Sequence, residues 1–259
     1  MATDTKIQWC DHTFNPWRGC TKISAGCKNC YAETMSHRNP KVLGVWGDNG
    51  TRAIAAESYW KLPLAWNREA KKANERRRVF CASLGDVFED RPELIQPRER
   101  LRWLMFETPH LDWLLLTKRP EIAAKWYHDY LMPDNIWLGV SAENQECADQ
   151  RIPILLSIPA AVRFVSYEPA IGSIDWSAWP SLDWVICGGE SGPNSRPFDP
   201  AWARSLRYQC EASGVAFFMK QLGSSPIGDR LHDKKGGDIS EWPEDLRIRE
   251  FPQPMKAGK

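Results

Sequence analysis

Beyond residue 78 the chain settles into a rhythm of short apolar runs separated by longer stretches of mixed polarity. The runs are Val79–Leu84, Trp113–Thr117, Ile136–Val140, Arg163–Ser166, Trp184–Cys187 and Val215–Met219, and their starts lie 21 to 34 residues apart. Each is continuous rather than alternating, which predicts strands buried on both faces. Most gaps have room for a crossover helix. Asp199-Pro200 opens one with a capping side chain and a proline in the first turn, and Gly214 closes it. Pro92–Glu107 and Pro120–Leu131 read as two more amphipathic helices, the second with Ala123, Trp126, Tyr127 and Tyr130 roughly on one face. Val42–Arg78 reads as a loop followed by a helix, whose basic end (REAKKANERRR) is expected as a solvated face. Repeated βα units predict an α/β fold with a parallel sheet, either an open doubly wound one or a barrel. No Gly-x-Gly-x-x-Gly turn follows a strand, so the dinucleotide-binding version lacks its signature.

The residues just after each run matter more for function. The runs give way to Gly85-Asp86, Lys118-Arg119-Pro120, Ser141-Ala142-Glu143-Asn144, Tyr167-Glu168-Pro169, Gly188-Gly189-Glu190-Ser191 and Lys220-Gln221. In parallel α/β folds the carboxyl ends of the strands form the active face. Six consecutive strands are therefore expected to deliver charged or glycine-bearing groups to one rim. At any single position, helix capping or an ordinary ion pair is the competing explanation.

Composition narrows the field. The 259 residues carry 34 Lys and Arg against 33 Asp and Glu, a net charge of +1. That argues against a general coat for polyanions and leaves room for a local basic patch. No apolar run approaches the roughly 18–20 residues of a membrane helix, and the start (MATDTKIQWC) lacks a signal peptide's basic and apolar regions. The expectation is a soluble cytoplasmic chain with no membrane partner. From about Gly223 the sequence turns polar, which divides it into a main body, residues 1–222, and an extension, residues 223–259, acting as a lid or loosely attached. Of 14 tryptophans, Trp103, Trp113, Trp126, Trp137, Trp184 and Trp202 fall in predicted elements and are expected in the core. Trp46, Trp60, Trp66, Trp176, Trp179 and Trp242 fall in loops or peripheral segments, where they are candidates for stacking on bases.

Four of the eight cysteines lie in the first 30 residues. In a reducing compartment such a cluster reads as a metal site before a disulfide. Cys20, Cys27 and Cys30 form a C-x6-C-x2-C triplet, with Trp9 and Trp17 flanking its entry. Three thiolates leave one position open on a tetrahedral metal or an iron–sulfur cubane. Cys10 and His12 are candidate fourth ligands, and a closed zinc site on Cys10, Cys20, Cys27 and Cys30 is the alternative. The favoured role for Cys10 is that of a buried structural thiol.

A three-cysteine cluster ahead of parallel βα units resembles the radical S-adenosylmethionine superfamily. The opening IQWCDHTFNPWRGCTKISAGCKNCYAE, with the later SLGDVFE, LLLTKRP, WLGVSAEN, FVSYEP and VICGGESGP, is similar to an uncharacterised, largely phage- and prophage-associated family of radical-SAM-like proteins. The likeness spans roughly residues 6–222. Two departures stand out: the superfamily's usual spacing between the first two cysteines is shorter than here, and its Gly-Gly-Glu motif usually falls near the second strand. The resemblance implies a partial parallel (β/α) barrel of about six or seven units, with a 4Fe-4S cluster on Cys20, Cys27 and Cys30. It implies S-adenosylmethionine held by Asp86, Ser141, Glu143, Asn144, Glu168, Gly188 and Gly189, and a substrate met by Lys118, Arg119 and Tyr167. The substrate is unknown, with a nucleic acid or modified nucleoside as first guess, and the reductant is unknown. The alternative is a zinc- or cluster-stabilised nucleic-acid-binding module without radical chemistry.

Overall fold

A computed structural model describes residues 5–228 and 231–252. All six expected strands are present. They are β4 (Arg77–Cys81), β5 (Leu111–Thr117), β6 (Ile136–Ser141), β7 (Val162–Tyr167), β8 (Trp184–Gly188) and β9 (Ala216–Gln221). A seventh, β1 (His12–Thr13), pairs in parallel with β4, His12 opposite Val79 and Thr13 opposite Phe80. Two residues with no apolar run gave no sign of it in the sequence. The main sheet has the order β1-β4-β5-β6-β7-β8-β9, so after β1 each strand lies beside its predecessor in the chain. The fold is α/β with a parallel, singly wound sheet, which excludes the doubly wound order. A separate two-stranded ladder joins β2 (Trp17–Arg18) to β3 (Ala53–Ile54).

The helices are α1 (Tyr31–Arg38), α2 (Pro40–Leu43), α3 (Glu57–Trp60), α4 (Leu62–Ala73), α5 (Ile95–Glu107), α6 (Pro120–Asp129), α7 (Gln145–Leu156) and α8 (Pro200–Ser213). Helix α8 has the expected ends: Asp199 accepts from the Ala201 amide at 2.9 Å, and Gly214 closes it at φ +70°. Helix α7 follows β6 with Pro153 inside it, and Asn144 caps it by accepting from the Cys147 amide at 3.0 Å. Helix α6 ends at Asp129, so Tyr130 lies beyond it and is exposed, while Ala123 and Trp126 are buried. The basic run after α4 bends into β4, and its arginines meet carboxylates: Arg76 with Asp112 at 2.6 Å, Arg77 with Glu69 at 3.2 Å and Arg78 with Asp11 at 3.5 Å. The three arginines that end the run are thereby paired.

The chain divides into two compact units. Of the described residues, the first comprises 5–23, 32–138 and 159–161. Its core sets Phe14 against Tyr59 at 5.0 Å, with Trp60 and Trp113 edge-on at 5.4 and 5.7 Å. Strands β4 and β5 are buried on both faces, as their continuous apolar character requires. Each fully buried aliphatic or Phe side chain contributes roughly 1.5–3 kcal/mol.

Of the described residues, the second unit comprises 24–31, 139–158, 162–228 and 231–252. Trp184, Val185, Ile186 and Cys187 on β8 are sealed. No helix spans the stretch between β7 and β8. A loop fills it, carrying Trp176 against Tyr167 at 5.5 Å and Trp179 against Trp176 at 6.2 Å.

Two expectations are corrected by the structure. The described part of the C-terminal segment is mostly exposed or half-buried, but it is tied to β8 and β9 and places Trp242 and Leu246 in the core. The Met219 amide donates to the Ile248 carbonyl, the Glu250 amide to Phe217 and the Trp184 indole to the Glu250 carbonyl, each at 2.9 Å. Trp242 and Leu246 are buried. The tryptophans also sort differently: Trp60, Trp66, Trp176, Trp179 and Trp242 are buried, whereas Trp103, expected in the core, is 58% exposed. An indole in an irregular segment still buries a large apolar area when that segment folds onto a core. Among the described residues no helix is long and apolar enough to cross a membrane.

The tail's role is measurable. Trp242→Ala removes a sealed indole and its hydrogen bond to the Gly236 carbonyl. It should cost about 3–5 kcal/mol in urea unfolding, whereas a loosely attached tail would give almost no change.

Candidate functional site

The motif cysteines belong to different units, Cys20 to the first and Cys27 and Cys30 to the second. All eight cysteines are thiols. Cys10, Cys81, Cys147, Cys187 and Cys210 are buried, while Cys20, Cys27 and Cys30 keep partial exposure. Cys10 turns its Sγ toward the Ile7 carbonyl, and burial pushes its thiol up to about 12. His12 is buried and stacked on Trp66 at 4.3 Å. Both have the surroundings of packing residues. Among the described residues no group of three or more His, Cys, Asp or Glu is placed to hold a metal ion.

In the first unit, the Cys20 corner is tied to the end of β4. The Gly19 amide donates to the Leu84 carbonyl at 2.9 Å, and the Asn15 Oδ1 accepts from the Leu84 amide at 2.7 Å. Trp17 is fully buried against Gly85, and its Nε1 has no hydrogen-bond partner among the described residues. Asp86 is almost sealed and saturated by protein donors. Its Oδ1 accepts from the Phe88 amide and the Thr117 hydroxyl, and its Oδ2 from the Lys118 amide and Arg119 Nη1. Arg119 sets Nη1 2.9 Å from Asp86 and 3.8 Å from the Cys20 Sγ, and Nη2 2.9 Å from the Thr21 carbonyl.

Electrostatics follow from this packing. Burial pushes the Cys20 thiol up to about 12 and Asp86 adds to the rise, while Arg119 opposes it. Burial alone would weaken the charge on Arg119, but Asp86, Cys20 and Glu89 hold it above its ordinary value. Behind them lies a buried bidentate pair, Arg52 to Glu89, with both contacts at 2.6 Å. Arg52 also donates to the Thr21 hydroxyl at 2.9 Å and to the Gly47 carbonyl at 3.3 Å. A cavity of about 420 Å³ opens beside this group, lined in part by Thr21, Glu89 and Arg119.

In the second unit, residues Ala25–Cys27 form a 3-10 turn. Glu143, with no exposed surface, holds this turn from below: its Oε1 accepts from the Ser24 hydroxyl at 2.7 Å. Its Oε2 meets Arg151 Nη1 at 2.8 Å, and the same nitrogen reaches the Ser141 carbonyl at 2.7 Å. Gly26 lies directly on Glu143, where a Cβ would overlap the carboxylate. A second acid grips the other side. Glu190 takes a bidentate contact from Arg196 and 2.9 Å from Asn29 Nδ2, and Arg196 also donates to the Ala25 carbonyl at 2.8 Å. Burial works against the charge on Glu190, but Arg196 and Asn29 more than offset it, so its carboxyl lies below the ordinary value.

The remaining expected site residues also have definite places. Ser141 is buried, and Asn144 caps α7. Glu168 pairs with Lys220 Nζ at 2.5 Å. Tyr167 is sealed and donates its hydroxyl to the Gly172 carbonyl, so in this structure it holds a loop rather than presenting a surface to substrate. The Gly188 carbonyl accepts from the Ala170 amide at 2.9 Å. Gly189 permits a close backbone approach, and the backbone that fills it is that of Leu222. Lys118 is half-buried. Sequence reasoning missed Glu190, Arg196, Arg151, Arg52 and Glu89 as supports. Only Glu190 carried a signal, as the acid of the Gly-Gly-Glu run.

Over residues 4–242 the chain matches a family described as a protein of unknown function (DUF5131). No curated protein and no solved structure matches it.

Two outcomes test the supports. Glu143→Ala strands the Arg151 guanidinium and should cost about 3–5 kcal/mol in urea unfolding, with Glu143→Gln costing less because it still accepts from Ser24. The depressed Glu190 carboxyl contributes stability that is complete above its unfolded value of about 4.3 and is lost as pH falls through the lower folded value. Urea unfolding followed by circular dichroism should therefore find Glu190→Gln less stable than the wild type at pH 7, with the difference shrinking as the pH is lowered through the acid range.

Proposed function

This chain belongs to the DUF5131 family, and from that premise we propose that it is a radical-type enzyme carrying a 4Fe-4S cluster on Cys20, Cys27 and Cys30 and using S-adenosylmethionine. The observation that carries the reading is the contrast among its cysteines. Five are buried as small hydrophobes, and the three of the motif are the ones that keep exposure. A ligand must be reachable by its metal, whereas a packing thiol need not be. Soft thiolate donors of this number suit an iron–sulfur cubane with one open iron. The singly wound parallel sheet is the strand order of a partial barrel.

A cluster held by Cys20, Cys27 and Cys30 would supply the electron for reductive cleavage of S-adenosylmethionine. The residues of this chain do the positioning. Arg119, fixed by Asp86, sets a permanent positive charge near the Cys20 sulfur, which offsets part of the rise that burial gives the thiol. Glu143 and Glu190 fix the turn that carries Cys27, so the ligand geometry does not rest on a mobile loop. A nucleic acid or modified nucleoside is the proposed substrate, and an unidentified cytoplasmic reductant the electron source.

Anaerobic reconstitution should yield a brown protein with about four irons per chain, and reduction in the presence of S-adenosylmethionine should release 5′-deoxyadenosine. Cys20→Ala, Cys27→Ala and Cys30→Ala should each lose the iron, while Cys10→Ala keeps it. A fully loaded wild type that neither binds nor cleaves S-adenosylmethionine would sink the proposal. One equivalent of zinc, lost in Cys10→Ala, would favour the four-ligand binding module.

A further inference from the structure

Six arginines are buried among the described residues: Arg18, Arg52, Arg98, Arg102, Arg119 and Arg151. Five have their charge or their donors met. Arg52 pairs with Glu89, Arg119 with Asp86, Arg151 with Glu143 and Arg102 with Glu99, and Arg98 donates to the Val87 and Glu89 carbonyls at 2.8 and 2.5 Å. Arg18 stands apart. It is 9% exposed, and among the described residues its guanidinium has no carboxylate and no hydrogen-bond acceptor. Its one close neighbour is the Tyr59 ring, with Cζ 5.6 Å from the centroid. The Tyr59 hydroxyl is already engaged, donating to the Thr13 carbonyl at 3.3 Å and accepting from the Asn15 amide at 3.1 Å.

A guanidinium in this position cannot escape its charge by deprotonating, as a buried lysine or carboxyl does. Its nitrogens are not among the sealed polar atoms, so a ligand can reach them from solvent. Its surroundings leave it ready for a partner. An aromatic ring covers one region of the group, while the N–H fork that pairs with two oxygens at once has no protein acceptor. The backbone that carries it is fixed, because Arg18 is paired with Ala53 in the β2–β3 ladder, and Tyr59 is held by stacking on Phe14. Preorganisation of this kind lowers the entropic cost of binding.

We propose that Arg18 anchors an anion-binding site in the first unit that takes an oxyanion, a carboxylate or a phosphate ester, in a two-oxygen contact. The site goes beyond the iron–sulfur reading and stands without it, since its basis involves neither a cluster nor S-adenosylmethionine. It also assigns a purpose to a largely buried guanidinium that has no protein acceptor among the described residues.

The test is isothermal titration of the full chain as isolated, in chloride buffer, with methyl phosphate, inorganic phosphate and acetate in separate runs. Saturable binding of one of these is expected, and the tighter of the phosphate and acetate arms identifies the source of the oxyanion. Arg18→Met should weaken that binding at least tenfold while the unfolding temperature stays level, because an apolar chain of similar length keeps the packing and loses no protein hydrogen bond. Arg18→Lys keeps the charge and the packing but not the fork, and should weaken binding at least tenfold at unchanged unfolding temperature. No binding of any probe by the wild type would overturn the proposal. So would wild-type affinity in Arg18→Met, or in Arg18→Lys if the methionine variant does not fold. Iron content and 5′-deoxyadenosine release do not enter these readouts, so failure here leaves the iron–sulfur proposal standing, and the reverse holds too.

Discussion

A charge removed from water must be met by an opposite charge or by a full set of hydrogen bonds, because an isolated buried ion costs more than a small domain's whole margin of stability. Much of the architecture around the candidate site follows from that constraint. Asp86, Glu89 and Glu143 are all nearly or fully sealed, and each is matched by a buried arginine. The pairs sit where strands end and the chain must turn. Asp86 follows β4 and gathers donors from the end of β5, so one carboxylate ties together two neighbouring loops. Glu143 follows β6 and reaches the cysteine turn through Ser24. Exchanging such a pair for apolar residues would often be neutral in stability, whereas removing one partner would not. What the pairs contribute is a definite placement for the loops they hold.

That placement bears on the proposed chemistry. A metal or cluster ligand has to be held to within a fraction of an ångström, and loops by themselves do not achieve it. In the second unit the turn bearing Cys27 is gripped from two sides, by Glu143 through Ser24 and by Arg196 through the Ala25 carbonyl. In the first unit Cys20 is fixed through its neighbours: Gly19 to Leu84, and Thr21 to both Arg52 and Arg119. Several strand-end residues that sequence reasoning assigned to a cofactor are occupied in this way as supports. Asp86 and Glu143 have their oxygens engaged by protein donors, and Asn144 caps a helix. Charged residues at strand ends serve the loops of an active face as readily as its ligands.

How much was legible in the sequence differed by element for physical reasons. Strands β4 to β9 announced themselves because a strand covered on both faces must be apolar throughout. The ends of α8 were readable because capping and left-handed closure are local chemistry. Strand β1 was silent, since His12 and Thr13 pair through their backbones with a strand more than sixty residues away. Trp242 looked peripheral because its neighbours are polar, yet the segment folds back on β9 and the indole fills the core. Trp103 looked internal because it lies within a helix, yet it falls on the solvent face of α5.

By itself the sequence determined the α/β class, most strand positions and the cysteine triplet, because each depends on neighbours close in the chain. Only the tertiary structure decided the singly wound strand order, the partners of each buried charge and which thiols stay reachable. Those properties belong to contacts between distant residues. Arg18 makes the point most clearly. In the sequence it is one basic residue among 34. Only packing reveals that it lies largely buried beside Tyr59 with no protein acceptor among the described residues, because the partners of an ion depend on what the fold brings to it and on nothing in its own segment.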